Sequence, residues 1–164
     1  MRNIASTLFV LMALGAPAAA QELTVSVAAY RSFGLDDLDG ELPMQTEFRV
    51  AFALSDRFAL EPFVDVIVRP ELRPHGPKGL YGIQVRQRIR ALTGERTSAF
   101  ATYGAAGAYS SAGVDPPIAG TFGFGMRRKI GAHLLFRPEV QLLTFHVVPI
   151  GARVVAGISV GAQR

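Results

Sequence analysis

The sequence has no cysteine and no tryptophan among its 164 residues, and its only lysines are Lys78 and Lys129. Without cysteine there is no disulfide framework. Stability must then come from a packed core, from ladder hydrogen bonds or from a membrane. Beyond the N-terminal segment no apolar run approaches the roughly 18 residues of a membrane helix, so helical spans are excluded. Basic residues do not cluster in any block despite the net charge of +4, which leaves nucleic-acid binding without a footprint. Apolar residues seldom recur at the three- and four-residue spacing of an amphipathic helix, so helices are scarce as well.

The N-terminus carries a targeting signature. Arg2 supplies the positive charge, Ile4 to Ala16 the apolar stretch, and Ala18-Ala19-Ala20 the small residues a signal peptidase requires. Residues 1–20 are therefore expected to be a cleaved signal peptide. The remainder, 21–164, suits one domain.

That remainder alternates apolar and polar residues with period two, punctuated by glycine, proline and aspartate. The pattern predicts strands at 22–33, 45–54, 58–69, 80–91, 97–109, 119–129, 133–145 and 150–162. Most match the roughly 9 to 11 residues of a tilted membrane-crossing strand better than the roughly 5 or 6 of a soluble one. Tight turns are expected at 54–57, 92–96 and 130–132, and long loops at 34–44, 70–79 and 110–118. The connection at 146–149 is short. Short turns at one rim and longer loops at the other are the arrangement of outer-membrane barrels.

The two faces of these strands differ. Phe48 and Phe52, Val64 and Val66, Tyr81 and Ile83, Phe122 and Phe124, Val140 and Leu142, Val154 and Ile158 share an apolar face. The opposite face carries Glu47, Arg49, Glu61, Asp65, Arg86, Arg88, Arg137, Glu139 and Arg153. We expect these nine residues to form a polar lumen network. Arginine forks match carboxylates bidentately, which suits a closed, water-poor interior. Arg90, Arg127 and Lys129, at strand ends, are expected in water at the short-turn rim. The glycines at 104, 107, 120, 123 and 125 are expected where strands pack closely. The same alternation also fits a secreted or periplasmic calyx, with apolar residues lining a ligand cavity and charge outside. The facing of the charges separates the two.

The alternating strands, the turn Leu54-Ser55-Asp56-Arg57-Phe58, and the run Gly123-Phe124-Gly125-Met126-Arg127 leading to Leu135-Phe136-Arg137-Pro138-Glu139 resemble the small eight-stranded outer-membrane barrels of the OmpA/OmpX type. The resemblance spans 21–164. It implies an all-β, antiparallel up-and-down transmembrane barrel in a Gram-negative outer membrane, with a packed polar lumen and not an open pore. It also implies contact with membrane lipid and lipopolysaccharide, and a monomer whose loops 34–44, 70–79 and 110–118 meet a protein partner. In the absence of tryptophan, Tyr81, Tyr103, Tyr109 and the phenylalanines would serve the interfacial girdles.

Some barrels of this kind act on lipid, and the lipid A deacylases place a histidine two residues before their serine. Here His75, His133 and His146 precede Pro77, Leu135 and Val148 instead, and no G-x-S-x-G elbow occurs. The histidines also lack metal-ligand spacing. The acidic run Leu35 to Glu41 places Asp37, Asp39 and Gly40 as a calcium loop would. Leu35 and Thr46 then occupy the two essential end positions, so an acidic surface loop is expected. The sequence thus points to no enzyme, no cofactor and no metal, and to a structural or surface-interaction role.

Overall fold

The computed structural model describes residues 22–32, 44–67, 77–110, 118–145 and 148–161. They form eight antiparallel strands: β1 (Glu22–Ser32), β2 (Met44–Ala53), β3 (Phe58–Ile67), β4 (Pro77–Thr93), β5 (Thr97–Ser110), β6 (Ala119–Lys129), β7 (Leu134–Phe145) and β8 (Val148–Gly161). Each strand pairs with its sequence neighbour, and β1 pairs with β8, so the sheet closes into an up-and-down barrel without a free edge. The expected signal peptide and most of the three expected long loops lie outside the described residues. So do His75, His146 and the acidic run at 35–41. Met44 opens β2, residues 77–79 belong to β4, and Ser110 closes β5.

Strand formation follows from the sequence pattern. Alternation at period two sends successive side chains to opposite faces. A ten-residue strand such as β2, at about 3.4 Å per residue and tilted about 40°, covers roughly 26 Å, close to the apolar band of a membrane barrel. The short turns are tied locally. In the β2–β3 turn the Leu54 and Ser55 amides donate to the Phe58 carbonyl at 2.9 and 3.1 Å, while Ser55 Oγ accepts from the Arg57 and Phe58 amides. In the β4–β5 turn Gly94 N donates to Thr97 O at 2.8 Å.

Strand β4 is longer than expected at both ends. Pro77 occupies its first position, where the missing amide costs no ladder bond, and a bulge follows before Gly79. At the other end the register shifts between Ile89 and Thr93, and Thr93 Oγ1 donates to the Ile89 carbonyl at 2.9 Å. The strand thus runs through Leu92, which was expected in the turn.

Polarity is inverted relative to a soluble protein. Tyr81, Phe122, Phe124, Val140 and Val154 stand exposed on the outside, Phe124 at 51%, while Glu47, Glu61, Asp65 and Gln141 are fully buried inside. A calyx requires the reverse, so that alternative does not describe this chain. Two aromatic rings also face inward, each beside a glycine of the adjoining strand. A Cβ at Gly82 would lie 2.7 Å from the Phe63 ring, and one at Gly125 would lie 2.5 Å from the Phe100 ring. These positions need glycine because a neighbouring ring fills the space a side chain would take.

Candidate functional site: a lumen of ion pairs and its mouth

The inward faces converge on one connected network. On the side nearest the short turns, Glu22 of β1 accepts from Arg86 Nη1 of β4 at 2.9 Å and from Arg127 Nη2 of β6 at 2.6 Å. Next, Glu61 of β3 receives Arg137 of β7 through both guanidinium amines, at 3.0 and 2.7 Å. Arg86 reaches the same carboxylate at 2.9 Å and Arg49 of β2 at 3.1 Å. Glu139 of β7 accepts from Arg49 at 2.9 Å, Arg137 at 3.2 Å, Thr102 Oγ1 of β5 at 2.6 Å and Gln141 Nε2 at 2.6 Å. Further along, Arg153 of β8 joins Glu47 at 2.7 Å to Asp65 at 2.9 Å. The Leu80 amide also donates to Asp65. Arg49 returns to Glu47 at 2.7 Å, which links this layer to the middle one.

Every strand contributes at least one side chain to this path, and several pairs cross the lumen. Arg49–Glu139 spans β2 to β7, Arg137–Glu61 spans β7 to β3, and Arg86–Glu22 spans β4 to β1. The aromatic rings pack against the guanidinium groups. Arg137 lies 4.6 Å over Phe100, and Arg49 and Arg153 lie 5.8 and 5.7 Å from the Phe63 centroid. Such contacts are strongest where both groups are desolvated. Among the described residues the network holds five carboxylates and five arginines, so its charge balances. Isolated buried charge would be far too costly to retain, and mutual pairing is what allows it here.

Eight of the nine expected lumen residues meet in this network: Glu47, Arg49, Glu61, Asp65, Arg86, Arg137, Glu139 and Arg153. Arg88 stands apart, lining the wider mouth at the short-turn end, and makes no ion pair among the described residues. Arg90 and Lys129 are exposed at that rim, as expected, but Arg127 is not simply in water. Its side chain is only 24% exposed and it is paired with Glu22. Glu22 was missed because it adjoins the expected cleavage point, although it shares its face with Thr24 and Ser26. Thr102 and Phe100 were missed because half of β5 is alanine and glycine, whose alternation carries no polarity signal. The described histidine, His133, is exposed in the β6–β7 turn, away from the network.

A closed eight-stranded barrel with lipid-like residues outside and ion pairs inside defines a class of architecture, and solved structures share it. The chain is similar to the N-terminal β-barrel domain of Pseudomonas aeruginosa OprF, at 9% identity over 86% of this chain and 98% of that one, with a TM-score of 0.55. It is similar to the Yersinia pestis outer membrane protein Ail in a phospholipid bilayer nanodisc, at 11% identity, 85% and 98% coverage and a TM-score of 0.51. A de novo designed transmembrane β-barrel matches at 13% identity, 87% and 97% coverage and a TM-score of 0.53. No protein-family model and no curated protein matches the sequence. The fold is that of the small eight-stranded outer-membrane barrels.

Proposed function

We propose that the protein is exported by its N-terminal segment and resides in a Gram-negative outer membrane as a monomeric, non-catalytic barrel with a structural and surface-interaction role. The observation that carries this is the facing of the side chains. An apolar, aromatic belt surrounds the barrel, while Glu47, Arg49, Glu61, Asp65, Arg137, Glu139 and Arg153 are buried inside it. Exposed apolar patches on soluble monomers seldom exceed a few hundred Å², whereas a membrane barrel needs a complete band. Lipid acyl chains and lipopolysaccharide would cover that band. The ion-pair network fills the lumen, so the barrel works as a closed plug and not as a conduit. Closure of β1 on β8 leaves no edge for strand addition, which supports a monomer. Partner contacts would fall to the segments 34–44, 70–79 and 110–118.

Electrophoresis of envelope fractions, unboiled beside boiled, tests the proposal. A membrane-fraction band whose mobility changes on boiling is expected. A soluble periplasmic protein with a single mobility would overturn it.

A further inference from the structure

At the short-turn end the lumen opens into a vestibule of about 770 Å³ whose floor is the Glu22–Arg86–Arg127 cluster. The charged residues that line it are mainly basic. Arg86, Arg88 and Arg90 of β4 all line it, Arg86 at the floor and Arg90 in the stretch where the register with β5 shifts. Arg96, from the β4–β5 turn, and Lys129 of β6 also line it, while Arg57 at its edge lies over the Phe58 ring at 5.5 Å. The carboxylates present are fewer. Glu22 is already engaged by two arginines, while Asp56 and Glu95 lie in the exposed turns. Arg127 Nε, at the floor, is buried without a hydrogen-bond partner. The balanced network explains the lumen charges but leaves this excess of cations at the mouth unexplained.

We propose that this vestibule binds a small polyvalent oxyanion, a solute carrying several phosphate or carboxylate groups. Guanidinium forks engage such groups bidentately. A single exposed contact is worth little in water, so a ligand must meet several cations at once, and Arg88, Arg90, Arg96 and Lys129 line the same mouth. The ion pairs below block passage, so the mouth holds its ligand and does not transmit it. The inference needs only the barrel and its mouth, and stands whether or not the barrel spans a membrane.

The test is calorimetric titration of the full-length protein, folded in detergent, with inorganic tripolyphosphate, and with citrate in parallel to tell phosphate from carboxylate. Saturable one-to-one binding that weakens with added NaCl is expected. The double variant Arg88→Gln, Arg90→Gln should loosen it by at least about tenfold. Arg128→Gln, which alters an exposed arginine outside the vestibule, should leave it unchanged. Absence of saturable binding to either anion, or equal binding by the double variant, would overturn the proposal. Should that variant fail to fold, phenylglyoxal modification of the unaltered protein, followed residue by residue by mass spectrometry, decides the matter. Tripolyphosphate should slow modification of Arg88 and Arg90 several-fold, and unchanged rates would count against the site.

Discussion

Glu61 is the residue on which most of the lumen depends. Arg49, Arg86 and Arg137, from three different strands, all reach its carboxylate, and no part of it is exposed. Breaking a buried pair by removing one partner leaves uncompensated charge behind, at a cost of about 3–5 kcal/mol. Glu61→Gln should therefore lower stability by about 3 kcal/mol, read as a fall in the urea midpoint of the protein folded in lipid vesicles. Glu95→Gln, in an exposed turn, should leave the midpoint where it was. Equal midpoints for Glu61→Gln and the parent would mean that the network is not holding the barrel. At this scale the sequence was readable wherever a charged residue alternates with an apolar one, as in Glu47-Phe48-Arg49. It was not readable for Thr102, which lies in the alanine- and glycine-rich run of β5 and whose opposite face is marked by little besides Tyr103, nor for Arg127, whose burial depends on Glu22 more than a hundred positions away.

The elements show a different kind of constraint. The phenylalanines inside the barrel are accommodated by glycine on the neighbouring strand, Phe63 beside Gly82 and Phe100 beside Gly125. Covering a strand glycine with an aromatic ring on the next strand is a recognised way to hold register in a curved sheet. Gly82→Ala would force its new methyl into the ring and into the Ala105 carbonyl, and overpacking of this kind costs about 1–3 kcal/mol. Gly94→Ala, in the β4–β5 turn with nothing within 4 Å, should be tolerated. Urea unfolding of the two variants side by side checks this, and equal losses would contradict it. Two prolines mark a further element-scale feature. Pro62 and Pro138 lie inside β3 and β7, and the pairing of β3 with β2 and of β7 with β6 breaks off beside them. A missing amide explains each gap. Strand positions were legible from period-two alternation, but the ends of β4 were not. Proline and glycine at 77–79 read equally well as loop or as a strand opening on a bulge, and only the partner strand decides.

For the molecule as a whole, the charged face is inside and the apolar face outside, as expected for the outer-membrane barrel and not for the calyx, although alternation by itself fits both. Alternation states that the faces differ without saying which way the sheet curls. The number of bulky residues was the usable clue, since eight strands enclose only enough room for a modest set of side chains. The similarity to a designed transmembrane barrel at 13% identity is informative here, because it shows how little sequence beyond the pattern the fold requires. An arginine at the centre of the outer band should be costly in a bilayer. Phe124 sits midway along β6 between Ala101 and Val140, and Phe124→Arg should lose about 2–4 kcal/mol in lipid vesicles. The most direct test of the outward face uses the same position. Phe124→Trp introduces the chain's only tryptophan, whose fluorescence can be quenched from either side. Quenching by phospholipids brominated on their acyl chains, with acrylamide ineffective, is the result predicted for a lipid-facing belt. Efficient acrylamide quenching with no effect of brominated lipid would contradict it and place that face in water.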